Sequence, residues 1–456
     1  MKQRQVLIAA PGSSHGKTTL TLLLLAWARR QGLRARAFKA GPDFIDPQYL
    51  AAVSAQAAPS LDPWFLGPAA MRKHFQTWAA GSELCVVEGV MGLFDGKRGE
   101  PFGAYSSATV AQRLDLPILL VLNARKAGPT LATQVLGLQK AGPKLRFAGV
   151  VLNQVASAKS VEILAPAIRE LCGLPVLGYL PALPALALPE RHLGLAAPSE
   201  LRHWQSALEA ALVEAEKSLD FGALYKALAV KEVPKVADPA TRAAKRFKLA
   251  VAKDEAFHFY YPENLALLEG LGADLQFFSP LKSKRLPLGS QGLLLGGGFP
   301  ELFGRRLAAN KTLLKATKAA SAAALPTWAE CGGLMWLAQD LVDLKGKQHA
   351  LVGALPATTR MTERLQHFGY TSAHVGKGHP FLKRGQLLKG HEFHHSQWEP
   401  QGPLKSTWDL AQSGRASRPE GWRLPQGIAT YFHSYYPAAP EAARSFAALC
   451  AAHPGI

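Results

Sequence analysis

Two stretches of this chain combine reactive residue types with the punctuation that exposes them. Pro11-Gly12-Ser13-Ser14-His15-Gly16-Lys17-Thr18-Thr19 follows a short apolar run and precedes a helical one. Small residues there let backbone N–H groups face phosphate oxygens, a lysine reaches the β and γ oxygens, and a threonine hydroxyl can ligate Mg2+. The strict pattern has glycine where Pro11 stands, with Gly12 beside it. Gly12, Ser13, Ser14, Gly16, Lys17, Thr18 and Thr19 are therefore expected to cradle a nucleotide, with ATP and Mg2+ the natural occupants. In the second half, Pro326-Thr-Trp-Ala-Glu330-Cys331-Gly332-Gly333 ends an apolar run in a cysteine followed by glycines. A nucleophile at such a strand-to-helix turn sits on strained backbone near the positive end of a helix, which predicts a lowered thiol pKa. Gly297 and Gly298, from Leu293-Leu-Leu-Gly-Gly297-Gly298, join Gly332 as candidate oxyanion donors. His433, closing Ile-Ala-Thr-Tyr-Phe-His, is the candidate general base.

Acidic residues follow the strands beside the phosphate loop. Lys39-Ala-Gly-Pro-Asp43-Phe-Ile-Asp46 places two carboxylates in a Gly/Pro-rich loop, and Val86-Val87-Glu88-Gly-Val-Met-Gly-Leu-Phe-Asp95 places one at a strand end and another in the loop beyond. Mg2+ favours a few carboxylates together with phosphate oxygens and water. Thr18, Asp43 and Glu88 are the expected metal ligands, Lys39 joins the nucleotide set, and Asp46 and Asp95 are the expected catalytic acids. The plainer alternative is that these acids cap helices. His391-Glu392-Phe393-His394-His395 matches H-E-x-x-H, but zinc binding by that motif needs a helix. Gly390 before it and Trp398 and Pro400 after it predict a strand and turn instead.

The elements that must position these residues alternate. Strands are expected at Val6–Ala10, Leu84–Val87, Ile118–Leu122, Ala148–Leu152 and Val176–Tyr179, with helices over 18–30, 130–140 and 160–171. That order implies βαβ units and a parallel sheet with helices on both faces, its sites at the carboxyl ends of the strands. The second half begins likewise, with strands at Leu249–Ala252, Leu275–Phe278, Gly292–Leu295 and Thr327–Ala329. The basic stretch Lys226 to Lys248, with Pro234 and Pro239 and no interleaved aromatics, is expected to be a solvated linker rather than a nucleic-acid arm. The expected division is residues 1–226, a linker over 227–247, and residues 248–456.

Composition narrows the class. With 456 residues, 48% hydrophobic and 19% charged, the chain is globular and not intrinsically disordered. Four scattered cysteines form no disulfide framework, and a reducing cytoplasm is the expected compartment. The apolar run from Leu20 to Ala28 falls well short of the roughly 20 residues a bilayer requires. Val6–Ala10 is expected to be a first strand rather than a signal segment. A formal charge of +19 suits a polyanionic partner, and neither a nucleic acid nor a membrane is expected.

Gly41-Pro-Asp-Phe-Ile-Asp-Pro47, Glu88-Gly-Val-Met-Gly-Leu-Phe-Asp-Gly96 and Leu188-Pro-Glu-Arg-His-Leu-Gly-Leu195 resemble the cobyrinic acid a,c-diamide synthase family, and the resemblance covers essentially the whole chain. It implies an α/β protein: an ATP-binding, dethiobiotin-synthetase-like parallel-sheet domain joined to a class I glutamine amidotransferase-like domain. The implied activity is ATP-dependent amidation of a corrinoid polycarboxylate with glutamine or ammonia, through an acyl phosphate. Asp254-Glu-Ala-Phe-His-Phe-Tyr-Tyr-Pro-Glu-Asn264 and Gly390-His-Glu-Phe-His-His-Ser396 belong to the same resemblance. Departures are Asn123, where relatives often have Asp, and Leu50, where they often have His. Tyr435 stands where most class I amidotransferases have the third triad residue, a Glu, and no replacement is nominated. Related tetrapyrrole amide ligases, acting on nickel-sirohydrochlorin or forming cobyric acid, stay open as alternatives, as does a DNA-partition-type ATPase. The oligomeric state is open, with a homodimer among the expectations.

Overall fold

Leucine-rich and β-branched runs have no polar face, so they can be strands only where helices cover both sides. The computed structural model, which describes residues 2–186, 190–191, 194–195, 198, 201, 203–233 and 246–456, shows this arrangement. The chain divides into two compact units, Met1–Asp238 and Pro239–Ile456.

The first unit runs β1 (Lys2–Ala9), α1 (Lys17–Arg30), β2 (Ala35–Ala40), α2 (Asp46–Ser54), β3 (Ser60–Leu61), α3 (Pro68–Ala79), β4 (Leu84–Glu88), α4 (Ser107–Leu114), β5 (Ile118–Asn123), α5 (Leu131–Ala141), β6 (Phe147–Asn153), α6 (Ala158–Cys172) and β7 (Val176–Tyr179). Its strands lie side by side in the order β3-β2-β4-β1-β5-β6-β7, all parallel. The carboxyl end of β1 therefore opens between those of β4 and β5. The apolar run Leu20–Ala28 is the buried middle of α1, and among the described residues no helix is long and apolar enough to cross a membrane. Trp27 on α1 stacks against Phe221 at 6.4 Å between ring centroids.

Two short strands, β8 (Glu190–Arg191) and β9 (Gly194–Leu195), pair antiparallel, and the other positions of the Leu188–Leu195 motif lie outside the described residues. Helices α7 (Trp204–Ala215) and α8 (Phe221–Ala227) come next, the latter capped by Asp220, whose side chain accepts from Ala223 N at 2.8 Å. Part of the expected linker is then taken up by a strand: β10 (Val230–Glu232) pairs antiparallel with Lys2–Arg4 of β1. The basic residues between 234 and 245 lie outside the described residues.

The second unit opens with β11 (Phe247–Ala252), α9 (Pro262–Gly270), β12 (Ala273–Phe278), β13 (Gly292–Leu295), α10 (Gly304–Ala309), α11 (Lys311–Ala322), β14 (Thr327–Glu330) and α12 (Gly332–Leu337). Beyond α12 the chain is mostly strand. β15 (Ala338–Val342), β16 (Gln348–Ala350), β17 (Leu355–Met361) and β20 (Ser396–Pro400) form a small sheet of their own. β18 (His367–Val375), β19 (Leu387–His394), β21 (Ser406–Ala411), β22 (Arg418–Leu424), β23 (Gly427–Thr430) and β24 (His433–Ser434) extend the large one, and α13 (Pro440–Ala452) ends the fold.

The large sheet reads β12-β11-β13-β14-β23-β22-β21-β18-β19-β24. It is parallel as far as β23 and antiparallel beyond it. β24 continues the chain of β23 across Tyr431 and Phe432, so the antiparallel end returns on itself. One apolar layer, with Phe257 and Trp336, covers one face of the parallel strands, and another, with Trp328 and Phe446, covers the other. Phe446 packs against Trp328 and Phe381 at 5.6 and 5.4 Å between ring centroids. Phe446→Ala should therefore destabilise the second unit by about 3–5 kcal/mol, read as a lowered denaturation midpoint with an unchanged slope.

Candidate functional site

Each unit assembles its reactive residues at strand ends. In the first, the loop between β1 and α1 turns through Ser14 and Gly16, at φ of 60° and 99°. A Cβ at Gly16 would collide with the Asn153 amide, so the loop can lie close to β6 only because this residue is glycine. Lys17 Nζ is folded back, donating to Gly12 O at 2.8 Å and Met91 O at 2.6 Å. Gly12, Ser13, Ser14, Thr18 and Thr19 line the same turn and the start of α1.

Beneath the loop lies a buried ionic cluster. Lys39 Nζ, at the end of β2, contacts Asp46 Oδ2 at 2.5 Å and Glu88 Oε1 at 2.8 Å, with Asp43 Oδ2 at 3.8 Å. Expected to meet a nucleotide, Lys39 is instead committed to carboxylates. Burial opposes its charge, but Asp46 and Glu88 outweigh burial and hold the ammonium above the usual lysine range. Burial also opposes the Asp46 carboxylate, yet Lys39 draws it below the ordinary range, while burial raises Glu88. Thr18 Oγ1 donates to Glu88 Oε1 at 2.6 Å, whereas Glu88 Oε2 is buried without a hydrogen-bond partner. An unsatisfied buried carboxylate oxygen beside a hydroxyl is the donor pair a hard divalent cation takes. Asp43 Oδ1 accepts from Ile45 N and Asp46 N, the capping arrangement that competes with a ligand role. Asp95 Oδ2 likewise accepts from Gly92 N at 2.7 Å and shapes the loop after β4.

The contacts joining His15, Asn123 and Asn153 were not expected from the sequence. His15 Nδ1 accepts from Asn123 N at 3.0 Å, and Asn153 Nδ2 donates to His15 O at 2.9 Å. Burial, then Lys17, lower the His15 pKa, so the ring serves as a neutral acceptor. The legible signal was a repeat: Val-Leu-Asn closes both β5 and β6, and Asn123 and Asn153 are register partners.

In the second unit Cys331 links β14 to α12 at φ 47° and ψ −102°, the strained turn its context implies. Gly332 and Gly298 meet here: a Cβ on Gly332 would lie 3.1 Å from Gly298 N. A Cβ on Gly297 would lie 2.6 Å from His433 Cε1, so the glycine run and the histidine also meet. The thiol departs from expectation. Burial first, then Glu301 and Glu330, raise the Cys331 pKa instead of lowering it. The sulfur is enclosed, and enclosure disfavours the thiolate. His433 is held well below its ordinary pKa, by burial and then by His391 and His394. The resting pair is a thiol and a neutral imidazole.

Glu330, next to the cysteine, accepts from Ser434 N at 3.1 Å and from Trp328 Nε1 at 3.0 Å, and burial pushes it up to about 8. Tyr435 OH donates to Glu263 Oε1 at 3.2 Å. His391, Glu392 and His394 lie on β19, as the strand reading of that segment expects, and Glu392 pairs with Arg418.

Residues 6–195 match the model of the CobQ/CobB/MinD/ParA nucleotide binding domain, and residues 248–440 that of the CobB/CobQ-like glutamine amidotransferase domain. A cobyrinate a,c-diamide synthase of Syntrophotalea carbinolica is 39% identical over 455 residues, covering 98% of each chain. The enzyme of the same name from Salmonella typhimurium is 36% identical over 440 residues, covering 95% of each. A third such synthase, from Gloeobacter violaceus, is 39% identical and covers 98% of this chain and 97% of its own.

The nucleotide site carries a pH signature. Burial, then Lys39, push Lys17 down to about 8, so its ammonium is charged at pH 7 and progressively lost above pH 8. Bound phosphate favours the charged form. Nucleotide affinity should thus be flat below about pH 7.5 and fall towards about tenfold per pH unit well above 8, by calorimetry across pH 6.5–9.5. Lys17→Met should weaken binding and flatten that dependence.

Proposed function

The chain belongs to the cobyrinate a,c-diamide synthase family, and from that premise we propose that it amidates the a and c side-chain carboxylates of cobyrinate, or of its close relative hydrogenobyrinate, in cobalamin biosynthesis. ATP and glutamine are the co-substrates. The observation that carries this reading is that one chain holds both a phosphate loop beside a buried acidic cluster and a strained cysteine beside a glycine run and a histidine. A DNA-partition ATPase would have no use for the second of these. The net charge of +19 suits a polycarboxylate macrocycle.

In the first unit a substrate carboxylate oxygen attacks the γ-phosphorus of ATP and ADP departs, leaving an acyl phosphate. Lys17, released from the Gly12 and Met91 carbonyls, follows the phosphoryl charge, and the backbone N–H groups of residues 12–19 hold the phosphates. Thr18 and Glu88, with Asp43 beside them, would hold Mg2+, which supplies charge neutralisation at the phosphoryl oxygens. Asp46 keeps Lys39 charged against Glu88, and Asp95 fixes the loop on which the substrate carboxylate lands.

In the second unit the Cys331 sulfur attacks the glutamine amide carbon while His433 takes the thiol proton. Backbone N–H groups of Gly297, Gly298 and Gly332 are the donors for the oxyanion. His433 returns the proton to the departing nitrogen, and ammonia leaves behind a thioester that water cleaves to glutamate. Ammonia then attacks the acyl phosphate carbon and inorganic phosphate departs with the former carboxylate oxygen.

Free ammonia bypasses the cysteine, which separates the halves. Cys331→Ala should lower glutamine-dependent synthesis by at least about a thousandfold while synthesis from ammonium salts at alkaline pH stays near the wild-type rate. His433→Ala should show the same selective loss, less completely. Retained glutamine-dependent turnover in Cys331→Ala would contradict the scheme.

The other half is tested by metal and phosphate. Lys17→Ala should abolish synthesis from either nitrogen source. Glu88→Gln should shift the Mg2+ concentration giving half-maximal rate upward by about tenfold or more; an unchanged Mg2+ titration would remove Glu88 from the metal site.

A further inference from the structure

A class I triad acid orients the base, yet Tyr435 occupies its sequence place here. The histidine-rich segment on β19 shows what packs against the base instead. β19 and β24 are antiparallel, and their register sets His391 directly opposite His433. Opposed residues on paired antiparallel strands project to the same face, so their side chains meet. The two imidazoles are stacked, with centroids 5.0 Å apart and planes 16° from parallel. Both are almost fully buried. On another side the Gly297 backbone approaches His433 Cε1, so the ring is confined between a flat aromatic face and main chain.

His391 is itself held. Tyr261 OH and His391 Nδ1 are 3.1 Å apart, and Tyr261 packs edge-on against Tyr435 at 5.1 Å and 89°. Tyr435 in turn donates to Glu263 Oε1. The residue in the place of the triad acid therefore supports the imidazole that supports the base.

We propose that His391, stacked on His433 and anchored by Tyr261, is a positioning residue for glutamine hydrolysis, doing by ring stacking what a triad carboxylate does by hydrogen bonding. The inference rests on the glutamine chemistry proposed above. His433 must become an imidazolium when it takes the Cys331 proton, and it does so without water around it. A neutral aromatic face is a favourable neighbour for a buried flat cation. Burial disfavours a second charge here and lowers the His391 pKa to about 3, so His391 is a neutral ring at neutral pH, while His391 and His394 both hold the His433 pKa down. An orientation error of a fraction of an ångström at a proton-transfer base costs rate and leaves substrate affinity alone.

The test compares His391→Phe, His391→Gln and His391→Ala, with Cys331→Ala as control, in the full-length chain. Glutamine hydrolysis and ammonia-dependent synthesis are measured side by side. His391→Phe keeps a flat ring and should retain kcat for glutamine hydrolysis within about threefold; His391→Gln and His391→Ala should lose about tenfold or more. KM for glutamine should change by less than about twofold in all three, and synthesis from ammonia, which does not use His433, should be unchanged. Wild-type kcat in His391→Ala or His391→Gln would overturn the proposal. So would a phenylalanine variant as impaired as the alanine one while both keep ammonia-dependent synthesis. Should the alanine variant fail to fold, the phenylalanine and glutamine variants decide by the same criterion. Glutamine hydrolysis persisting in Cys331→Ala would instead strike the underlying reading, which keeps the two failures apart.

Discussion

A parallel strand covered by helices on both faces can present chemistry only where it ends, and both units are organised by that constraint. β1 sits between β4 and β5, so its terminal loop faces the ends of both neighbours and brings Lys17 to Met91, Thr18 to Glu88 and His15 to Asn123. β14 sits between β13 and β23 in the same way, and Cys331, the glycine run and His433 converge where these strands run out. At each place the chain must turn sharply enough to return as a helix. Glycine takes the positive φ freely at Gly16, whereas at Cys331 it is strained.

Both sites rest with their reactive groups turned inward. Lys17 spends its hydrogen bonds on the carbonyls of Gly12 and Met91, and Lys39 is sunk among carboxylates. Cys331 and His433 are held neutral by the same desolvation that would strengthen any charge formed between them. Such a resting state suits an enzyme whose two reactions are wasteful when uncoupled, since ATP and glutamine would otherwise be hydrolysed without product.

The parallel core was readable because its signals are local. Val176–Tyr179 and Gly292–Leu295 form strands over the residues their apolar runs indicated, and α1 starts at Lys17 directly behind the phosphate loop. Beyond the strand expected at His391–His395, most of the antiparallel strands after α12 were not anticipated, because His, Gly and charged residues interrupt the alternation that marks a half-buried strand, as in His367–Val375. The reactive types and their turns were likewise legible, but not their electrostatics. The helix behind Cys331 suggested a thiolate, whereas enclosure of the sulfur, joined by the charges of Glu301 and Glu392 from distant parts of the sequence, reverses the shift. Lys39 was expected to join the nucleotide set, and the pairing of β2 with β4 sets it beside Glu88.

In the reaction proposed above, a substrate carboxylate is activated by phosphorylation in the first unit and then aminated by nitrogen cut from glutamine in the second, and a labelled oxygen follows that route. With cobyrinate carrying 18O in its side-chain carboxylates and unlabelled ATP, glutamine and water, each amide formed should place one 18O atom in the inorganic phosphate released. Phosphate free of label, with the amide still formed, would contradict the account.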